Sequence, residues 1–118
     1  YDLGARLAPL RGEGVLIVGS GNVVHNLGRM QWTDDARPFD WATRFNEKVR
    51  AHLAAREHAA LIDYALLDKD ARLSVPTPEH YLPLLYILAQ QSQGEALSLP
   101  VDGIEYGSIG MLTVAVGL

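Results

Sequence analysis

A histidine that follows a glycine-rich turn is the first candidate for chemistry in this sequence. His25 stands in "GSGNVVHN" (residues 19–26), directly after the apolar run "VLIV" at 15–18. A neutral imidazole binds metal ions, and an imidazole that titrates near neutral pH transfers protons. A buried histidine held by a backbone carbonyl is the structural alternative. The motif by itself leaves both interpretations open.

A second histidine stands at the predicted start of a helix. His80 lies in "PTPEHYLPLL" (residues 76–85), where Thr77 and Pro78 are typical of a capping hydroxyl and a first-turn proline. The positive end of the helix dipole disfavours an imidazolium, which favours a neutral, metal-binding ring. The alternative is an exposed histidine at a helix start. Pro83 inside this predicted helix indicates a kink or a restart.

The remaining polar and aromatic candidates carry weaker signals. His52 and His58 are predicted to be solvated turn residues, and Asp34 and Asp35 to lie in a polar loop rather than to bind a hard cation. Nucleotide binding is not favoured, because the third glycine of G-x-G-x-x-G and the lysine of a P-loop are both missing. Four aromatic side chains could line a pocket but more often such residues belong to the core: Trp32, Phe39, Trp41 and Tyr81.

These residues must be positioned by helices and strands, and the sequence pattern of those elements predicts an α/β fold. We expect a mainly parallel sheet with flanking helices. The β-branched run at 15–18 lies between glycines, which is typical of a strand buried on both faces. Ligands of open α/β sheets bind beyond the carboxyl ends of such strands, where His25 would lie. The other predicted elements are helices at 2–10, 41–54, 57–67 and 77–91, and strands at 101–106 and 111–116.

The composition limits the kinds of partner and compartment that we expect for this chain. The 118 residues are enough for a single domain, and the net charge of −4 without a basic stretch argues against nucleic acid. No apolar run reaches the roughly 18 residues of a membrane span. The absence of cysteine excludes disulfides and thiolate metal sites and fits a reducing compartment, so we expect a cytoplasmic protein. The opening "YDLGARLAPL" is typical of the end of a helix, so we expect the C-terminal part of a longer protein.

Four stretches together resemble one enzyme family: "GVLIVGSGNVVHNL", "WATRFNEKV", "PTPEHYLPLLY" and "GIEYGSIGMLTVAVG". The family is the class III extradiol ring-cleaving dioxygenases, in its 4,5-DOPA dioxygenase branch, and the likeness covers about residues 7 to 117. It implies the C-terminal part of an extradiol dioxygenase catalytic domain. The implied reaction opens the ring of a DOPA-like catechol with O₂, next to the hydroxyls, at a mononuclear non-haem Fe(II), with zinc possible in its place.

The resemblance also implies a role for individual residues. His25 matches the active-site histidine expected to act as acid and base, and in zinc-containing forms it is also a candidate metal ligand. His80 matches a metal-ligand position at which related branches use a glutamate as the third ligand, and Glu79 stands beside it. Asn22 is the expected substrate-binding residue.

The resemblance leaves part of the site outside the chain. Two further metal-binding histidines belong to the N-terminal part of the family, and His52 and His58 do not match them. The remaining N-terminal part of the same protein is therefore an expected partner, and the isolated segment is expected to be inactive. Two other functions stay open: a non-catalytic member of the fold that binds metal or an aromatic ligand, and a zinc-dependent hydrolase.

Overall fold

The structure is a computed structural model that describes residues 1–117. Short helices precede a C-terminal group of short strands. Within this range the elements are α1 (Asp2–Leu7), α2 (Pro9–Gly12), α3 (Asp40–Ala55), α4 (His58–Ile62), α5 (Ala71–Ser74), α6 (Leu82–Leu88), β1 (Leu97–Val101), β2 (Ile104–Glu105), β3 (Ile109–Gly110) and β4 (Thr113–Val116), with 3₁₀ turns at Leu27–Arg29 and Tyr64–Leu66.

Helix α3 carries the centre of the core, and the helix predicted at 41–54 is confirmed. Phe45, Val49 and Leu53 recur every four residues and are fully buried, as one apolar stripe of a helix requires. Asp40 is the first helical residue, Phe39 takes the cap position, and no side chain caps the helix. Arg56 ends it in the left-handed conformation, with φ of 58°.

Two other predicted helices are shorter than expected. The helix predicted at 57–67 is α4 followed by a single 3₁₀ turn. Helix α6 begins only at Leu82, after a turn in which the N–H groups of Tyr81 and Leu82 both donate to the carbonyl of Pro78. Pro83 therefore lies in the first turn of α6, where its missing N–H removes no hydrogen bond. The restart interpretation is confirmed, and His80 lies in the turn before the helix.

The strands correct the predicted sheet. The α/β mixture is confirmed, but a mainly parallel sheet is wrong for the described residues: β1 pairs with β4 and β2 with β3, both antiparallel. Strands that follow one another within so few residues can reverse direction but have no room for the crossover that parallel pairing needs. The strand predicted at 101–106 is interrupted at Gly103, whose φ of +133° lies in the region that favours glycine.

The predicted buried strand at 15–18 is also wrong within residues 1–117. The run forms no strand, and its side chains are largely exposed: Leu16 is 72% and Val18 77% accessible. The physical reason is that the structure holds no neighbouring strand or helix layer to cover both faces. None of the helices formed by the described residues has the length and apolar character needed to cross a membrane.

Candidate active site

The glycine turn lies directly against the turn that carries His80. A Cβ on Gly21 would lie 2.1 Å from the carbonyl oxygen of His80, and a Cβ on Gly19 would lie 2.9 Å from that of Pro83. Neither glycine adopts a positive φ, so close approach rather than turn geometry requires them. The N–H of Asn22 donates to the carbonyl of His80 at 2.8 Å. The motif around residue 21 and the turn at 78–81 are therefore one packed unit.

His25 is buried and held by backbone groups on every side. Its N–H donates to the carbonyl of Ser74 at 2.9 Å. Ring atom Nδ1 lies 2.9 Å from the carbonyl oxygen of Asn22, and Nε2 lies 2.9 Å from that of Thr77. A doubly protonated ring donates to both carbonyls, whereas a neutral ring donates to one. Both ring nitrogens therefore face backbone carbonyls, and neither is free for a metal.

His80 offers the complementary chemistry. Its side chain is 49% accessible, and its ring nitrogens make no hydrogen bond with residues 1–117. The ring centroid lies 5.0 Å from that of His25, with the planes tilted by 58°. A half-exposed imidazole with free nitrogens is able to bind a metal ion.

A carboxylate lies next to this ring. Oε1 of Glu79 is 3.8 Å from Nε2 of His80 and accepts a hydrogen bond from the Thr77 hydroxyl at 2.6 Å. That hydrogen bond is the main cause that lowers the pKa of the Glu79 carboxyl, with a smaller contribution from the charge of His80. The side chain therefore stays ionised at neutral pH and is a possible further ligand.

His80 belongs to the wall of an open cleft of about 300 Å³. Residues 18–23 form one side, and His80 with Pro83, Leu84 and Ile87 forms the other. Asn22 lines the cleft, but its amide nitrogen donates to the carbonyl of Gly110 at 2.7 Å, so that nitrogen is engaged in holding β3. The structure thus brings Asn22 and His80 to one cleft, with His25 directly behind them.

The donor set fits part of a metal site. Within the described residues, no three histidine, aspartate or glutamate side chains converge closely enough to hold an ion. His80 fits one ligand position and Glu79 a second, whereas both ring nitrogens of His25 face backbone carbonyls. A mononuclear non-haem metal centre needs a third protein ligand.

The weaker candidates lie away from the cleft. The ring of His52, in the last turn of α3, pairs with the carboxylate of Glu57. The ring of His58 is hydrogen-bonded to the Tyr1 hydroxyl and to the amide oxygen of Gln91. Asp34 and Asp35 form an exposed turn, as predicted.

The four aromatic side chains do not line one pocket. Tyr81 is fully buried in the core, where its hydroxyl donates to the carbonyl of Leu61 at 2.9 Å and burial raises its pKa. Phe39 and Trp41 stack with centroids 5.4 Å apart, whereas Trp32 lies exposed against Tyr106.

Sequence reasoning missed the backbone partners of His25. The carbonyls of Ser74 and Thr77 hold its main chain and its ring. Thr77 was expected to cap a helix, but its hydroxyl instead binds Glu79. Every residue carries a carbonyl, so no residue type in the sequence could have identified these acceptors.

Comparison with known proteins identifies the relatives of this chain, although no protein-family model matches it. The sequence is 48% identical over 120 residues to the 4,5-DOPA dioxygenase extradiol of Escherichia coli (strain K12), covering 99% of this chain and 44% of that protein, in its C-terminal part. This chain is homologous to the 4,5-DOPA extradiol dioxygenases. The resemblance seen in the sequence is confirmed.

Other 4,5-DOPA extradiol dioxygenases agree. The Beta vulgaris protein of that name is 33% identical, and the match covers 92% of this chain and 42% of that protein. The Portulaca grandiflora protein is 30% identical, and the match covers 93% of this chain and 41% of that protein. A crystal structure of a protein from Escherichia coli K12 superposes with a TM-score of 0.88 at 49% identity, over 96% of this chain and 47% of that one. The chain therefore spans less than half the length of the relatives it matches.

Proposed function

We propose that this chain supplies part of the active site of an extradiol dioxygenase that opens the ring of a DOPA-like catechol with O₂. The observation that carries the proposal is the packing of a buried His25 against a half-exposed His80 that lines the cleft and has free ring nitrogens. The homology of the whole chain to 4,5-DOPA extradiol dioxygenases supports the reaction class.

His80 would hold the metal, with Glu79 within reach as a carboxylate ligand. We infer Fe(II), with zinc possible in its place, because histidine with a carboxylate suits non-haem iron. When bound, the metal supplies a Lewis-acidic centre with open positions for a catechol and O₂. His25 could join the ligand set in a zinc form only if Nε2 gave up the carbonyl of Thr77.

His25 is the residue we assign to proton transfer. The carbonyls of Asn22 and Thr77 fix its ring orientation, so an N–H of the ring is held at a defined place behind the cleft. Asn22 is the proposed substrate-binding residue. Its amide nitrogen is engaged with Gly110, so its amide oxygen is the atom left to accept a hydrogen bond from a catechol hydroxyl.

The rest of the protein is the proposed partner of this chain. The relatives carry more than half of their length outside the matched region, and residues 1–117 hold no complete metal site of their own. The missing ligands would come from that remaining part, so we expect the 118-residue chain alone to be inactive. The cytoplasmic location remains a prediction.

The test is reconstitution of the full-length protein with Fe(II) under anaerobic conditions, followed by addition of L-DOPA or simpler catechols and then O₂. Oxygen uptake with a new yellow chromophore is the expected result, and it should be lost in His25→Gln but kept in the control His58→Gln. Metal and catechol binding without O₂ uptake would support the non-catalytic alternative. Metal-dependent ester hydrolysis without O₂ uptake would support the hydrolase.

A further inference from the structure

Thr77 contacts both sides of the candidate active site. Its carbonyl oxygen lies 2.9 Å from Nε2 of His25. Its hydroxyl donates to Oε1 of Glu79 at 2.6 Å, and that same oxygen lies 3.8 Å from Nε2 of His80. One residue therefore reaches the buried ring through its main chain and the half-exposed ring through a neighbouring carboxylate.

Two prolines hold the backbone of Thr77. Pro76 and Pro78 stand on either side of it in the sequence, and the ring of each proline fixes its own φ. A residue before a proline is also disfavoured in the helical region, so Thr77 has few backbone conformations open to it. The N–H groups of Tyr81 and Leu82 both donate to the carbonyl of Pro78, which anchors the segment on its C-terminal side. A stiff segment thus presents the carbonyl and the hydroxyl of Thr77.

The carboxylate of Glu79 depends on this hydroxyl for its position. The Glu79 side chain is 60% accessible, and within residues 1–117 the Thr77 hydroxyl is the one side-chain group that donates a hydrogen bond to it. An exposed glutamate without such a partner samples many rotamers. The hydrogen bond limits those rotamers and keeps one carboxylate oxygen on the side of His80.

Groups that orient metal ligands contribute to metal affinity. A histidine that binds a metal usually donates its other ring N–H to a carboxylate, a carbonyl or water, and a carboxylate that binds a metal is itself hydrogen-bonded. Glu79 lies close enough to His80 to serve in either way. In both cases the Thr77 hydroxyl is the group that holds the carboxylate.

We propose that Thr77 is a positioning residue of the active site: its hydroxyl sets the Glu79 carboxylate beside His80, and its carbonyl sets the ring of His25. Two different atoms of one residue thereby fix the surroundings of both histidines. The inference rests on the proposed function in taking His80 as a metal ligand.

Removal of the hydroxyl alone tests its effect on the metal. Thr77→Val keeps the branched shape and the backbone carbonyl but cannot donate to Glu79, whereas Thr77→Ser keeps the donor. Titration of the full-length apoprotein with Zn²⁺ against a competing chelator should give an affinity about tenfold lower for Thr77→Val and close to that of the wild type for Thr77→Ser. Thr33→Val, in the exposed turn at 33–35, is the matched control and should leave the affinity unchanged. Equal affinities of the wild type and Thr77→Val would overturn the proposal, as would equal losses in Thr77→Val and Thr77→Ser.

A double-mutant cycle shows whether the hydroxyl acts through Glu79. In the Glu79→Ala background, Thr77→Val should change the Zn²⁺ affinity by less than about twofold, because the acceptor is already gone. The same loss in both backgrounds would show that Thr77 does not act through this carboxylate, and would overturn the proposal. Absence of Zn²⁺ binding in the wild-type protein would reject the metal site, and so the proposed function together with this inference.

The contact with His25 has its own readout, the ¹⁵N chemical shifts of the imidazole nitrogens in the full-length protein. Thr77→Val retains the carbonyl, so the His25 shifts should stay as in the wild type. Thr77→Gly also frees the backbone that presents the carbonyl, and it should change the His25 shifts as well as weaken Zn²⁺ binding. Unchanged His25 shifts in Thr77→Gly would overturn the role of the carbonyl.

Discussion

The imidazole rings of His25 and His80 lie with their centroids 5.0 Å apart and their planes tilted by 58°. A single residue, Asn22, connects them, because its carbonyl accepts from the His25 ring while its N–H donates to the carbonyl of His80. The two rings differ in what they can do: one is buried and engaged at both nitrogens, and the other is half-exposed and free. This division underlies the predictions for the site.

Gly21→Ala should displace the His80 turn. The added Cβ would lie 2.1 Å from the carbonyl oxygen of His80, which is backbone and cannot rotate away. We expect a loss of about 1–3 kcal/mol in the free energy of unfolding, measured by urea denaturation, with weaker metal retention. Gly12→Ala is the control, because nothing lies within 4 Å of its added Cβ, and it should change the stability by less than about 1 kcal/mol. Equal effects of the two substitutions would contradict the close approach.

His25→Gln should separate proton transfer from metal binding. Glutamine can still donate to one of the two carbonyls, so the fold and the metal content should be kept. The kcat for catechol cleavage should fall about 10²–10⁴-fold, as expected when a general acid–base group is removed. Stopped-flow O₂ uptake and metal analysis of the same preparation check this. Turnover close to that of the wild type would rule out the proton-transfer role.

His80→Ala should affect the metal itself. Removal of a ligand should weaken metal affinity by more than about tenfold, because loss of a group that only hydrogen-bonds to a ligand typically costs about tenfold or more. His52→Ala is the control, since His52 is engaged with Glu57 away from the cleft. Titration of the apo full-length proteins with Fe(II) or Zn²⁺ measures both. Unchanged affinity in His80→Ala would remove His80 from the ligand set.

Asn22→Ala tests whether this residue binds substrate or only holds the site together. Loss of the amide leaves the buried carbonyl of Gly110 without its donor, which should cost about 1–3 kcal/mol of stability. If Asn22 contacts the catechol, the substitution should also raise KM. A purely structural role would leave the KM of the folded protein unchanged. Steady-state kinetics below the Tm distinguish the two.

The Arg11–Glu95 ion pair should make stability depend on pH in acid. The hydrogen bond from Arg11, together with the Ser92 N–H, lowers the pKa of the Glu95 carboxyl from 4.5 to about 2. Because the folded-state pKa is the lower one, the pair stabilises the fold above about pH 4.5, and this contribution is lost as the pH falls towards 2. The stability difference between wild type and Glu95→Gln, from urea midpoints, should therefore shrink through that window.

Much of the helical structure was predictable because its signals are local. The spacing of Phe45, Val49 and Leu53 by four residues defines α3 without reference to the rest of the chain. Pro83 likewise indicated a restart, which the structure confirms at Leu82. The direction of the strands was not predictable in the same way, because the apolar pattern of β4 is equally suited to a parallel or an antiparallel neighbour.

Residue types and their spacing identified His25 and His80 as candidates but left structural alternatives open, and Asn22 was a candidate only through the family resemblance. Only the tertiary structure decided that the two rings lie next to each other, since their distance depends on packing between Gly21 and the turn at 78–81. It also decided that backbone carbonyls engage both nitrogens of His25, a contact that every residue is chemically able to make. The sequence alone shows that residues 15–18 are apolar. Whether other elements cover that run depends on its neighbours in space, and within residues 1–117 the run is largely exposed.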